Sequence, residues 1–132
     1  KFMPGERITQ EGFLHYLYAP ERSYYYNRDA FYRMLADRGV VKAEERDPEA
    51  ELSRYDAAKF TIRYLGQQRL AEHPELFTNV FNDDVAAEYR GYAAIAKAFS
   101  IMKGDAAGNF NGARALTNAE AAVIILNTLK TR

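Results

Sequence analysis

One order of residue types occurs three times in the chain, and this repetition limits the possible fold more than any other feature. The three segments are "FMPGERITQ" (2–10), "RDPEAELSR" (46–54) and "FNGARALTN" (110–118). When they are aligned, an aliphatic residue and then a hydroxyl residue coincide in Ile8-Thr9, Leu52-Ser53 and Leu116-Thr117. Serine and threonine are preferred N-caps because their side-chain oxygen accepts a hydrogen bond from a backbone N–H of the first helical turn. Each segment therefore predicts a loop that leads into a helix.

The third copy has the most complete helix start. Thr117 and Glu120 have the spacing of a capping box, in which each side chain accepts from the other residue's backbone N–H. Ser53 and Asp56 form a shorter version of the same pattern. In the first copy Gly12 takes the acidic position, so we expect the weakest helix start there.

A second helix precedes two of these loops. The segment "FYRMLADRGVVK" (31–42) aligns with "YAAIAKAFSIMK" (92–103) without a gap, whereas the first copy lacks this leading helix. Each unit is thus a leading helix, a loop and a capped helix, with a spacing of about sixty residues. Three such units predict an all-α, pseudo-threefold helical bundle.

The predicted helices lie near residues 9–18, 28–38, 53–71, 86–100 and 117–130, with a short turn or helix near 74–78. The 132 residues are 48% hydrophobic, which suits one domain over 1–132. Within it we divide the chain into a partial first repeat (1–22), a second repeat (23–78) and a third repeat (79–132). Without its leading helix, the first copy is expected to expose Phe13, Leu14 and Leu17, which favours dimerisation or exchange between chains.

Composition excludes several classes of function. Eighteen basic residues balance eighteen acidic residues, so net charge favours neither nucleic acid nor an anionic membrane as a partner. No apolar run is long enough to span a bilayer. Cysteine is absent, which excludes disulfides, thiol catalysis and thiolate metal sites. Because the chain opens on Lys1, we expect a processed form or a fragment.

Sequence motifs for metal binding or catalysis are weak. Asp105, Asn109 and Asn111 occupy positions one, five and seven of a candidate calcium loop, but Ala107 and Leu116 stand where oxygen ligands are needed. We therefore expect no calcium site.

The two histidines, His15 and His73, are far apart and have no ligand pattern near them, which argues against zinc. No segment has the pattern of a nucleophile elbow or a phosphate loop. We expect no metal, no cofactor and no enzyme activity.

The repeats resemble S-layer homology domains. In the third copy, "VFNDDV" (80–85) and "AIAKAFSIMKGDAAGNFNGARALTNAEAA" (94–122) are similar to that family's opening, loop and helix start. The resemblance implies a three-repeat pseudo-trimer outside the cell, at the bacterial surface, in the cell wall or the S-layer. It also implies a non-covalent anchor to a secondary cell-wall polysaccharide that carries pyruvylated amino sugars.

The resemblance also indicates the residues of a binding groove. The family's arginine after the cap hydroxyl is present only as Arg54, whereas Gln10 and Asn118 replace it in the other copies. Arginine suits a pyruvate carboxylate because it offers a bidentate, charged fork, and helix N-termini add backbone donors. The expected glycan-binding residues are Ser53, Arg54, Lys103, Gly104 and Arg114 in one groove and Asn118 in a second.

A different class of function stays open. The loss of two family arginines favours a structural or protein-interaction domain of a larger surface protein that no longer binds glycan. In that case Arg54, Lys103 and Arg114 are ordinary solvated residues. A protein partner would then be sought on the tyrosine-rich surface, since Tyr16, Tyr18, Tyr24–26 and Tyr32 all fall in the first 32 residues.

Overall fold

The protein is mostly helical, which confirms the all-α fold class. A computed structural model describes residues 3–21 and 27–132, and in these ranges there are isolated β-bridges but no strand. The α-helices are α1 Gln10–Leu17, α2 Arg28–Asp37, α3 Arg54–Tyr64, α4 Gln68–Ala71, α5 Ala87–Ala98 and α6 Asn118–Thr131. The 3₁₀ helices are η1 Ala19–Glu21, η2 Ala43–Glu45 and η3 Pro74–Leu76. None of the described helices has the length and apolar character required to cross a membrane.

The long helix predicted over 53–71 is wrong, because it is interrupted at Gly66. Gly66 has φ +80, a left-handed conformation that glycine adopts readily. Its N–H donates to the Arg63 carbonyl at 2.9 Å, and the Gln67 N–H donates to the Ile62 carbonyl at 3.1 Å. This pair of bonds is a Schellman motif, which ends α3 and lets α4 begin in a new direction. The predicted element at 74–78 is only the 3₁₀ turn η3.

The three aliphatic residues of the repeated loops form a closed ring of backbone hydrogen bonds. The Ile8 N–H donates to the Leu116 carbonyl (3.0 Å), Leu116 N–H to Leu52 (2.9 Å), and Leu52 N–H to Ile8 (3.0 Å). All three side chains are buried. Loops that are 44 and 64 residues apart in sequence are therefore joined in a single ring.

The capped helices continue this cyclic arrangement. The first two N–H groups of α1, α3 and α6 donate to carbonyls of the loop ahead of another capped helix. In order, the acceptors are Ala50 and Pro48 for α1, Arg114 and Gly112 for α3, and Glu6 and Pro4 for α6, at 2.7–3.1 Å. The third N–H of each helix donates to the cap hydroxyl, at 3.1–3.2 Å. Three of the four N–H groups that each helix start usually leaves open are thus satisfied inside the protein.

The cap of α6 is the complete capping box predicted from the sequence. Glu120 accepts from the Thr117 N–H at 3.0 Å, while Thr117 accepts from the Glu120 N–H at 3.2 Å. At α3, the Asp56 carboxylate accepts instead from the Tyr89 hydroxyl at 3.1 Å. The shorter acidic side chain thereby joins α3 to α5.

The leading helices pack on the capped helix of the preceding unit. Helix α2 lies on α1, where Arg28 pairs with Glu11 at 2.8 Å and Phe31 contacts Tyr18 edge to face. Helix α5 lies on α3, where Tyr89 stacks on Tyr55 with ring centroids 4.3 Å apart.

The expected exposure of Phe13, Leu14 and Leu17 is wrong, since all three are fully buried. Helix α6 instead carries two strongly exposed apolar side chains, since Val123 is 58% and Leu126 is 54% exposed.

A buried ionic cluster joins α3 to η2, α4 and α5. The Arg63 side chain is only 3% exposed and pairs with Glu45 at 2.6 Å and Glu72 at 3.1 Å. Its Nε donates to the Tyr92 hydroxyl at 3.0 Å, and its Nη1 donates to the Val40 carbonyl at 3.2 Å. Because all three Arg63 nitrogens are bonded, the cluster holds the leading helix α5 against the capped helix α3.

We predict that Gly91→Ala destabilises the protein although alanine is the better helix former. A Cβ at position 91 would lie 2.0 Å from the Ala71 carbonyl oxygen, so α4 and α5 would have to separate. We expect a loss of about 1–3 kcal/mol in the free energy of unfolding, measured by urea denaturation. Gly5→Ala is the matched control, because nothing lies within 4 Å of the added carbon there. Equal stability of the two variants would refute the close packing of α4 on α5.

We predict an acid-sensitive contribution from Glu45. Burial disfavours its charged form, but bonds from Arg63, the Lys42 N–H and Lys59 outweigh burial and lower the pKa to about 2. A lowered folded-state pKa stabilises the fold above the carboxyl's ordinary pKa, and this stability is lost as pH falls toward 2. Glu45→Gln should cost about 2 kcal/mol at pH 7 and flatten the loss of stability between about pH 5 and 2.

The control for this prediction is Glu49→Gln, since the Glu49 side chain is 85% exposed. Thermal unfolding across that pH range measures both variants. An unchanged pH dependence in Glu45→Gln would show that the Glu45–Arg63 pair does not link acid to unfolding.

Candidate functional site

Two of the residues predicted for the first groove line one cavity, which lies where α3 begins, between α6 and the segment after α5. Here Arg54 and Lys103 line a cavity of about 250 Å³. The other lining residues are Ile101, Met102, Glu120, Val123, Ile124 and Asn127. The cavity therefore combines an apolar wall with two cations and one carboxylate.

Arg54 is held by the neighbouring loop. It is buried, and its Nε donates to the Phe110 carbonyl at 2.8 Å while its Nη2 donates to the Lys103 carbonyl at 2.9 Å. Its guanidinium carbon lies 5.3 Å from the centre of the Phe110 ring. Burial, reinforced by the charge of Arg114, lowers its pKa. Arginine still stays charged at neutral pH, and these bonds use two of its five donors.

Arg114 is an ion-pair partner rather than a free cation. Its Nη2 lies 2.6 Å from Glu120 Oε2, and Glu120 is also the capping carboxylate of α6. Burial would raise the Glu120 pKa, but the bonds from Arg114 and the Thr117 N–H lower it. The pair removes most of the negative charge that Glu120 would otherwise bring to the cavity.

The remaining predicted residues of this groove have structural roles. Ser53 caps α3 by accepting from the Asp56 N–H at 3.1 Å. Gly104 lies where the loop packs closely, because an added Cβ would meet the Asn109 carbonyl oxygen at 3.1 Å and the Phe81 ring at 3.2 Å. Lys103 is an exposed residue.

Asn118 lies at a different place from Arg54. Its Nδ2 donates to the Met3 carbonyl at 2.8 Å. In the first copy, Gln10 Nε2 donates to the Glu45 carbonyl at 2.9 Å, and Gln10 Oε1 accepts from the Tyr32 hydroxyl at 2.9 Å. The residue after each cap hydroxyl thus anchors a neighbouring loop in all three copies, and only Arg54 adds a positive charge.

The helix starts do not offer the backbone donors that were expected for an anion. The first three N–H groups of α1, α3 and α6 already donate to loop carbonyls and cap hydroxyls, as described above. The positive charge at this surface therefore comes from side chains, above all Arg54 and Lys103.

In the candidate calcium loop, the Asp105 carboxylate accepts hydrogen bonds from its own loop. Asp105 Oδ1 accepts from the N–H groups of Ala107 at 3.0 Å and Asn109 at 2.9 Å, and Oδ2 accepts from Asn111 Nδ2 at 2.9 Å. The Asn109 N–H and the Asn111 amide lower the Asp105 pKa. Across residues 3–21 and 27–132, no group of three metal-ligating side chains lies together.

A charged cavity that the sequence does not predict lies behind α3. Lys42, Lys59 and the Arg63 cluster line about 390 Å³ there, walled on one side by Glu88, Tyr89 and Tyr92 of α5. The available signal was the interruption of the apolar pattern of α3 by Lys59 and Arg63.

The tyrosine-rich surface is only partly described. Tyr18 and Tyr32 are buried in the core, whereas Tyr16 is exposed. Tyr24–26 lie outside the described residues. Among the tyrosines of this segment that are described, Tyr16 is the exposed one.

Comparison of the chain with protein-family models, with curated proteins and with solved structures finds no match.

Proposed function

We propose that the chain is a non-catalytic module that anchors a larger protein to the bacterial cell surface by binding an acidic wall polysaccharide. In this proposal the chain is one pseudo-threefold bundle of three S-layer-homology-like units. The closed ring of Ile8, Leu52 and Leu116 supports this symmetry, because equivalent residues of three loops make equivalent bonds.

The observation that carries the proposal is the position of Arg54. It is a buried cation beside an open cavity, and loop carbonyls and the Phe110 ring hold it in place. A guanidinium fixed in this way loses little side-chain entropy when it binds a carboxylate. Lys103 adds a second cation, while Arg114 neutralises Glu120.

The apolar wall gives the cavity a second property that suits a sugar. Ile101, Met102 and Val123 line it together with Arg54. A pyruvate ketal places a methyl group and a carboxylate on one carbon, so the same group can contact the apolar wall and the arginine. We infer one acidic-sugar site per chain, since Gln10 and Asn118 bring no charge to the equivalent positions.

The second candidate function is a protein-interaction domain that no longer binds glycan. The exposed apolar side chains on α6 favour it, because soluble domains commonly use such surfaces for partners. The two functions differ in the ligand that they require, so one titration separates them.

We predict that the folded protein binds a pyruvylated wall-sugar fragment with about one site per chain in calorimetric titration. Lys103→Ala should weaken binding by about tenfold, because it removes a cation while keeping the carbonyl that accepts from Arg54. Arg54→Ala should weaken binding further. Far-UV circular dichroism and thermal unfolding of each variant separate lost contact from lost fold.

Two controls complete this test. The same fragment after removal of its pyruvyl groups should bind at least about tenfold more weakly. Lys130→Ala, an exposed cation at the far end of α6, should bind like the wild type. If the folded wild-type protein does not bind the pyruvylated fragment, the anchoring proposal is refuted.

A further inference from the structure

The outer face of α6 is a continuous apolar stripe. Ala119, Ala122, Val123 and Leu126 are all exposed, and their spacing places them on one side of the helix. Val123 and Leu126 are each more than half exposed. Isolated exposed apolar residues are ordinary, but a stripe over two helical turns indicates an interaction surface.

The same positions on α1 and α3 are covered by a leading helix. These positions are the second, fifth, sixth and ninth residues after the capping residue. They are Glu11, Leu14, His15 and Tyr18 on α1, and Tyr55, Ala58, Lys59 and Ile62 on α3. On α1, Glu11 pairs with Arg28, and the His15 and Tyr18 rings both contact Phe31 of α2. On α1 the fifth position is Leu14, which is fully buried.

Helix α3 repeats this arrangement with α5. Tyr55 stacks on Tyr89, and the Lys59 ammonium lies 5.4 Å from the centre of the Tyr89 ring. Ala58 and Ile62 are fully buried. Thus two of the three capped helices carry a packed helix on the face that α6 leaves exposed.

The cavities agree with this comparison. The cavity beside α3 is walled by Glu88, Tyr89 and Tyr92 of α5. The cavity beside α6 is the one that Arg54 lines, and its other lining residues belong to the third unit, including Lys103, Val123 and Asn127. Its described lining includes no residue of a leading helix. The outer face of α6 therefore corresponds to a surface that a helix covers on α1 and α3, but no described helix covers it on α6.

We propose that the outer face of α6 binds an amphipathic helix of a partner polypeptide. Its contact side should be apolar and carry two aromatic residues three positions apart, as Tyr89 and Tyr92 do in α5. Charged residues belong on its other sides, because Ala119 stands where Glu11 pairs with Arg28 of α2, and Val123 stands where the Lys59 ammonium faces the Tyr89 ring of α5.

A second copy of this chain fits the site less well. Its leading helices are already packed within their own chain, where Leu35 of α2 and Tyr92 of α5 are both buried. Its α6 stripe offers alanines, a valine and a leucine, so two stripes facing each other would supply no aromatic side chain. The proposal rests on the internal correspondence of the three units and does not require glycan binding.

The test titrates the labelled full chain with synthetic peptides that have the sequences of residues 27–42 and 84–104, which contain α2 and α5. Nuclear magnetic resonance follows the amides of α6 and the methyl groups of Val123 and Leu126. We expect saturable binding of at least one peptide with shifts at these methyls. Val123→Glu and Leu126→Glu should each weaken binding by at least about tenfold.

Leu76→Glu is the matched control, because Leu76 is a leucine on η3 that is at least as exposed as Leu126, and its substitution should leave peptide binding unchanged. The proposal is overturned if neither peptide shifts the α6 resonances. It is also overturned if the chain self-associates and Val123→Glu abolishes that association, since a second copy would then be the occupant.

Discussion

The structure depends on the closed ring of backbone hydrogen bonds among Ile8, Leu52 and Leu116. Each of these residues donates to one member of the ring and accepts from the other, so no loop can leave without breaking two bonds. The ring also places each cap hydroxyl beside another loop, whose carbonyls accept from the helix start. Polar backbone that would otherwise be buried without partners is satisfied in this way. One contact therefore determines how three helix starts meet.

This arrangement has a consequence for binding. The first N–H groups of α1, α3 and α6 donate to loop carbonyls. These backbone donors hold the loops together, so they are not open to an anion. The residue after the cap hydroxyl is likewise used to anchor a loop, as Gln10, Arg54 and Asn118 all show. In the proposed glycan site, Arg54 combines anchoring with recognition because a guanidinium has five donors, of which the loop takes two. An amide side chain has two donors and no charge to add.

The sequence predicted the parts of the fold that depend on local chemistry. The cap hydroxyls and the alignment of three loops placed most helices to within two residues, and the capping box of Thr117 is present as predicted. The break at Gly66 was missed because the apolar pattern continues across it, although glycine is a common helix end. The sequence predicts the exposed face on α1, whereas it lies on α6, because sequence alone does not say on which neighbour a leading helix packs. The Arg63 cluster was missed for the same reason, because its partners Glu45, Glu72 and Tyr92 come from three other elements.

The central claim is that the three loops close as a single unit, and native-state hydrogen exchange of their ring amides tests it most directly. If the ring holds the fold together, the amides of Ile8, Leu52 and Leu116 should exchange only through global unfolding, with equal free energies of opening. Those free energies should match the stability measured by denaturant. Exchange of the Ile8 amide through a local opening, with Leu52 and Leu116 still protected, would contradict the account, because the first loop would then lie outside the cooperative structure.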